Sequence, residues 1–248
     1  MKILILSPHM DDAFLSLGGF VSRLSMLHDF EILNIFSYDP WVLDDFKTTN
    51  KLENINIRKK EEMLNASIAG IKTNFLDLPA GWKERGYSKW QTNVDRKIDK
   101  KILIEVFNYL EKLVAFFDLI FSPLGIGGHV DHKLIRGIAC KLTLSKIFYY
   151  EDLPYAVEKD FFRYVDNFRK KQCLLNHVFF LNNKEIKKKE VFVRNYKSQL
   201  TKEEMELVMR YTRGEIDHKI SKTSSEIIWT YKDNIPKIKN LQDYKKDE

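Results

Sequence analysis

Cysteine is scarce. Cys140 and Cys173 are the two in 248 residues, and neither stands in a C-x-x-C or other metal-ligand spacing, which excludes a disulfide framework and a thiolate metal site. A reducing cytoplasm is the expected compartment. No apolar run approaches the ~18 residues needed to cross a bilayer, and the first strand pattern begins directly behind Met1 and Lys2. The expectation is a soluble, unprocessed chain without a membrane partner. Charge of one sign is not concentrated either. The formal +6 divides into 20 Lys+Arg against 18 Asp+Glu in residues 1–150 and 21 against 17 in residues 151–248, so neither half reads as a polyanion-binding domain and no nucleic-acid partner is expected. The densest basic run, KEIKKKEVFVR at 184–194, has acids interleaved and reads as a solvated helix face. There is no internal repeat. What remains is a globular composition, 44% hydrophobic and 13% aromatic with 31% charged residues, enough for one large core.

Apolar runs of strand length recur at 2–7, 31–38, 73–78, 118–123 and 146–151, with helical periodicity between them at 14–28, 55–70, 98–116 and 132–145. Strands alternating with helices predict parallel pairing and a sheet covered on both faces. The fold class is therefore α/β: a Rossmann-like three-layer sandwich with a mostly parallel sheet, its core in residues 1–151 and a C-terminal elaboration in 152–248, together one domain. The commonest strand order for such a chain, 3-2-1-4-5, makes strands one and four neighbours and opens a crevice between their carboxyl ends. In the second half, YAVEKDFFRYVDNFRKK and KEEMELVMRYTR read as helices and HVFFL as a short strand. SSEIIWTYK (224–232) reads as an edge strand or a short helix, and the last residues, NLQDYKKDE, as a frayed end. The stretch GWKERGYSKWQTNVD (81–95) has turn formers and two tryptophans without periodicity, and reads as a loop over the active edge of the sheet.

Strand one runs into SPHMDD and strand four into PLGIGGHVDHK, so three of the six histidines and three aspartates meet at that crevice. A hydrolytic zinc takes three ligands from His, Asp or Glu and keeps a fourth position for a water whose pKa falls to roughly 7. His9, Asp12 and His132 supply such a set. Asp11, next to a ligand but pointing elsewhere, is then placed to take a proton from the water. His129, protonated, faces a developing oxyanion or leaving amine, and Asp131 hydrogen-bonds a ring nitrogen of a neighbouring histidine. Read separately, each cluster is equally a capped helix start with carboxylates on the positive end of the dipole. A dinucleotide site is excluded, since the first turn lacks G-x-G-x-x-G and two carboxylates there repel a pyrophosphate. Gly18 and Gly19 cost roughly 1 kcal/mol each inside a helix, which calls for close packing of that helix on the sheet or backbone approach to the metal loop.

These residues resemble the PIG-L/LmbE-like zinc deacetylases, whose signatures are H-P-D-D near the N-terminus and H-x-D-H after a later strand; here they read His9-Met10-Asp11-Asp12 and His129-Val130-Asp131-His132. RKKEEMLNASIAG (58–70) is similar to the family's R-x-x-E helix. FLDLP (75–79), YYEDLPYA (149–156), KSQ (197–199) and EIIW (226–229) are similar to its bacterial branch. The resemblance implies one zinc per chain and hydrolysis of N-acyl groups, commonly acetyl on amino sugars. By motif position it makes His9, Asp12 and His132 the metal ligands, Asp11 the general base, His129 the oxyanion stabiliser and Arg58 a substrate contact; the alternative for Arg58 is an ion pair with Glu61 or Glu62. Met10 replaces the usual proline, and Gly127 stands where some members carry a tyrosine.

The expected partner is a small N-acetylated sugar or glycoside, with Trp82, Tyr87 or Trp90 of the 81–95 loop as a platform for its ring or, equally, as pins for the loop. Competing readings are an amidase for a thiol conjugate or other modified metabolite, a metallophosphoesterase, which usually wants two metals, and a binding module without turnover.

Overall fold

A computed structural model of the chain describes residues 1–82, 84–88, 94–142, 144–158 and 173–243. The run KILILS forms β1 (Lys2–Ser7), buried from Ile3 onward, as an interior parallel strand covered on both faces must be. It pairs in parallel with β2 (Asp29–Asn34), in register Lys2 to Asp29 through Ser7 to Asn34, and on its other side with β4 (Leu119–Pro123). Parallel pairing continues outward to β3 (Lys72–Phe75) beyond β2 and to β5 (Ile147–Tyr150) beyond β4. The 3-2-1-4-5 order is thus present.

The sheet then continues with two strands from the second half of the chain. Ser225–Tyr231, here β7, lies antiparallel against β5, and Leu174–Phe180, here β6, lies antiparallel against β7. The order is β3-β2-β1-β4-β5-β7-β6 among the described residues. SSEIIWTYK is therefore an interior strand, buried over Ser225–Thr230, and the edge falls to β6. Glu226 of β7 is buried, with its carboxylate against the helix that follows β1.

Among the described residues the α-helices are α1 (Asp12–Leu24), α2 (Lys51–Ala69), α3 (Arg96–Leu113), α4 (Val130–Leu142), α5 (Asn183–Asn195), α6 (Lys202–Arg213) and α7 (Ile235–Asp243), and most of the run read as a helix at 155–171 lies outside the described residues. α1, α2 and α5 pack on one another and α3 packs on α4, the two outer layers of the sandwich. Phe20 of α1 meets Phe121 of β4 at 5.0 Å and Phe179 of β6 at 4.9 Å between ring centroids, so one aromatic joins both halves of the sheet. Among the described residues no helix is long and apolar enough to cross a membrane.

α1 explains its own glycines. Leu17 leaves the helical region (φ −123°, ψ 17°), and the N–H groups of Gly19 and Phe20 donate to the Glu226 carboxylate at 2.8 and 2.7 Å. Glu226 caps the second half of the helix and also receives Lys189 Nζ at 2.8 Å. A Cβ on Gly19 would stand 2.6 Å from the Leu181 side chain, and one on Gly18 3.2 Å from Lys189. The close neighbours are α5, Leu181 just past β6 and Glu226 of β7, so the helix packs closely on the β7–β6 end of the sheet and not on the turn after β1. The basic run 184–194 is accordingly a helix, capped by an Asn182/Glu185 box, but Lys189 on it is fully buried.

Candidate active site

Both motifs sit where the strands end. Ser7, the last residue of β1, shapes the first turn: its hydroxyl donates to the His9 carbonyl at 2.7 Å and accepts Ala13 N–H at 3.2 Å. Asp12 Oδ2 accepts His9 N–H at 2.8 Å. Asp11 occupies the N-cap position of α1, yet its carboxylate makes no capping hydrogen bond. It lines instead a cavity of about 390 Å³ together with His9, Asp12, Arg58, Trp82, His129 and Tyr155.

The second motif follows β4 through three glycines with positive φ, Gly125, Gly127 and Gly128. A Cβ on Gly127 would stand 2.8 Å from the Tyr155 ring, so the Tyr155 side chain fills the space beside that position. The same ring meets His132 edge-on at 5.5 Å. The rings of His9, His129 and His132 lie 4.9–5.3 Å apart, and one ligand atom from each falls within 4.8 Å of the others.

Hydrogen bonds give the three histidines different faces. His9 Nε2 bonds Asp131 Oδ2 at 2.9 Å, which leaves Nδ1 turned to Asp12 Oδ2, 3.4 Å away. His132 Nδ1 bonds Asp152 Oδ1 at 2.5 Å. Its Nε2 is buried without a hydrogen-bond partner and lies 3.4 Å from the same Asp12 oxygen. His129 Nδ1 accepts the backbone N–H of Asp131 at 3.3 Å, so its neutral ring carries the proton on Nε2. Two histidines thus turn a ring nitrogen to Asp12, which becomes a lone pair once its proton is displaced, and the third presents an N–H. Tetrahedral zinc with bonds of 2.0–2.1 Å separates its ligand atoms by about 3.3 Å, and Asp12 Oδ2 stands at that spacing from both His9 Nδ1 and His132 Nε2. These donors fit the ion.

Electrostatics follow from burial and neighbours. Burial opposes protonation of His9, but the Asp12 and Asp131 carboxylates outweigh it and raise its pKa to about 10. A metal at this ring displaces a proton. Burial and the neighbouring Asp12 charge raise Asp11 to about 6, near the range of a working base. Burial and the charges of His9 and His132 hold His129 down at about 3. The resting ring is therefore neutral, where the sequence reading has it protonated; it offers a hydrogen-bond donor all the same.

Asp131 is fully buried; its Oδ2 accepts Gly81 N–H at 2.9 Å and bonds His9, and its Oδ1 forms an ion pair with Arg85 Nη1 at 2.7 Å. Arg58 does not pair with Glu61 or Glu62. Its Nε donates to Gln199 Oε1 at 2.7 Å, and Nη1 donates to Asp39 and to the Trp41 carbonyl at 3.2 Å. Glu61 holds Ser198 and Gln199 in place. Trp82 lines the cavity, with its ring 6.5 Å from Trp41. Tyr87 is a pin, buried with its hydroxyl donating to Asp99. Trp90 lies outside the described residues. Trp82→Ala is expected to raise KM several-fold and leave the melting temperature within about 2 °C, because the ring is half-buried beside the cavity; steady-state kinetics and a melt check it.

Two residues escaped the sequence reading. Asp152, besides holding His132, accepts the N–H groups of Gly125 and Ile126 at 2.8 and 2.9 Å; the acid at the end of the YYED strand was its signal. Glu62 is fully buried, bonded by Tyr196 Oη at 2.5 Å, and burial raises it from the ordinary 4.5 to about 7. A raised carboxyl contributes stability below pH 4.5 that is lost as pH climbs through about 7. Glu62→Gln is therefore expected to flatten the fall in stability between those limits by up to about 1.4 kcal/mol per pH unit, measured by urea unfolding of the metal-free protein.

No family model matches the chain. Over 173 residues it is 27% identical to the 2'-N-acetylparomamine deacetylase of Streptomyces fradiae, a stretch that is 64% of this chain and 59% of that protein. A deacetylase from the biosynthesis pathway of teicoplanin superposes with a TM-score of 0.71 at 18% identity, over 92% of this chain and 97% of its own. GalB, the 4-carboxy-2-hydroxymuconate hydratase of Pseudomonas putida KT2440, superposes with a TM-score of 0.58 at 13% identity, over 92% of this chain and 94% of its own. The α/β sandwich is thus one that these structures share, a deacetylase and a hydratase both among them.

Proposed function

We propose that this chain, as one domain, is a zinc-dependent hydrolase that removes an acetyl group from the nitrogen of a small N-acetylated amino sugar or glycoside. The observation that carries the reading is the division among the histidines: two buried ring nitrogens, His9 Nδ1 and His132 Nε2, flank the Asp12 carboxylate at 3.4 Å, and His129 offers an N–H. The sequence relative that acts on an N-acetylated compound by name supports the substrate class. His9, Asp12 and His132 would hold one zinc, which supplies Lewis acidity toward water and the amide carbonyl when bound. The His9, His129 and His132 cluster is the one group of potential ligands among the described residues, which supports one metal rather than the pair of a phosphoesterase.

The chain's own residues then divide the work. Asp11, uncapped and raised to about 6, takes a proton from the attacking water and returns it to the departing amine nitrogen. The Nε2–H of His129 donates to the carbonyl oxygen as it gains charge. Asp131 and Asp152 fix the tautomers of His9 and His132. Arg58 supports the cavity wall through Asp39 and Gln199. Trp82 offers an apolar face to a sugar ring.

The test is to load purified protein with zinc and offer a panel of N-acetylated amino sugars and glycosides, following release of acetate and primary amine. Turnover of a member, lost on chelation and restored by zinc, is expected. Metal content of two per chain, or hydration of an unsaturated acid without any amide hydrolysis, overturns the reading.

A further inference from the structure

Arg85 lies in the 81–95 loop, where its neighbours in sequence suggest a solvent-facing turn, yet its side chain is buried, with 3% of it exposed. Its guanidinium bridges two carboxylates that are both 0% exposed. Nε donates to Asp99 Oδ1 of α3 at 3.0 Å, and Nη1 lies 2.7 Å from Asp131 Oδ1. Nη1 also donates to the Pro79 carbonyl at 2.9 Å. The guanidinium carbon lies over two aromatic rings, 4.7 Å from the Phe36 ring centre and 5.5 Å from that of Tyr87. Tyr87 closes the arrangement by donating to Asp99.

The other oxygen of Asp131 is the one that bonds His9 Nε2. A continuous chain therefore runs from α3 through Asp99, Arg85 and Asp131 to the ring whose Nδ1 faces Asp12. The loop is stapled to this chain twice. Gly81 N–H also donates to Asp131 Oδ2, and a Cβ on Gly81 would stand 2.7 Å from Val130 and 3.2 Å from Asp131 Oδ1, so the backbone must come flush against the carboxylate. Between these two staples sits Trp82, on the cavity wall.

We propose that Arg85 is a positioning residue for the metal site, which holds Asp131 in the orientation that fixes His9 and thereby couples the seating of the 81–87 loop to metal affinity. The proposal rests on the metal reading given above. Outer partners of a metal-bound histidine typically contribute 10–100-fold in metal affinity, and a planar fork that spans two carboxylates is not replaced by an ammonium.

The experiment measures zinc affinity of the metal-free protein by chelator competition for the parent, Arg85→Met, Arg85→Lys, Asp131→Asn and the Arg85→Met/Asp131→Asn double variant, with a melting curve of each metal-free form. Arg85→Met is expected to weaken zinc binding 10–100-fold, Arg85→Lys by less. In the Asp131→Asn background the Arg85 change should add less than threefold, because the effect passes through Asp131. If Arg85→Met does not fold, Arg85→Lys carries the same comparison. Parental zinc affinity in an Arg85 variant whose melting temperature alone has fallen overturns the proposal, as does a fully additive double variant. A parent that binds no zinc overturns the metal reading instead.

Discussion

Asp11→Asn is expected to keep its zinc and its fold while turnover falls by about 10²–10⁴, whereas Asp12→Ala should lose the metal and, with it, the activity. The two residues are adjacent and chemically identical, so only their surroundings separate them. Asp12 Oδ2 stands 3.4 Å from both His9 Nδ1 and His132 Nε2, and without it two donors remain where hydrolytic zinc wants three. Asp11 caps nothing and lines the cavity; burial and the Asp12 charge keep its proton affinity near neutrality, at about 6. In the proposed assignment, amidation removes the base without disturbing the ligands, so KM need not rise. Metal content and kcat for the pair decide the matter. An Asp11→Asn protein that loses zinc while Asp12→Ala keeps it reverses the assignment, and full activity in both removes the hydrolase reading.

Arg58→Met is expected to destabilise the protein by about 3 kcal/mol and to shift the acid limb of kcat/KM toward higher pH. The side chain is buried, and its removal leaves Asp39 without its cation and takes away the donor that Gln199 Oε1 meets. Breaking one side of a buried pair costs about 3–5 kcal/mol, and the partial exposure of Asp39, 14% of its side chain, places the expectation at the lower end. The pH effect has a separate origin. The Arg58 charge lowers the Asp11 pKa, so without it Asp11 holds its proton to higher pH and activity on the acid side shrinks. Combining Arg58→Met with Asp39→Asn should recover part of the stability but none of the pH shift, since the second change restores no charge beside Asp11. Urea unfolding and a pH profile measure the two effects independently; an unchanged acid limb would show that Arg58 does no more than support the wall.

Local pattern was enough for the first five strands and four helices, because a parallel strand buried on both faces must be a nearly unbroken apolar run, as KILIL is, and an amphipathic helix must repeat its apolar face. Boundaries moved by a few residues: the third strand stops at Phe75, where the chain leaves the sheet for a turn with Asp77 at φ 53°. The helix at 184–194 was legible as a helix, but nothing in its composition told Lys189 from its exposed neighbours. That lysine is buried because Glu226, 37 residues later, needs a cation while it caps the broken α1.

The two motifs identified by themselves which side chains gather at the crevice, since strand order alone makes β1 and β4 neighbours and their carboxyl ends carry HMDD and HVDH. What each side chain does there was decided by partners far away in sequence. Asp131 and Asp152 choose the tautomers of His9 and His132, and the backbone N–H of Asp131 leaves His129 as a donor. Arg58 turns from Glu61 and Glu62 to Asp39 and Gln199, and Arg85 reaches from a surface-like loop to Asp131. A sequence records residue types and local periodicity, which suffice for elements and their order; hydrogen-bond partners separated by 50 or 122 positions exist only once the sheet has brought its strand ends together.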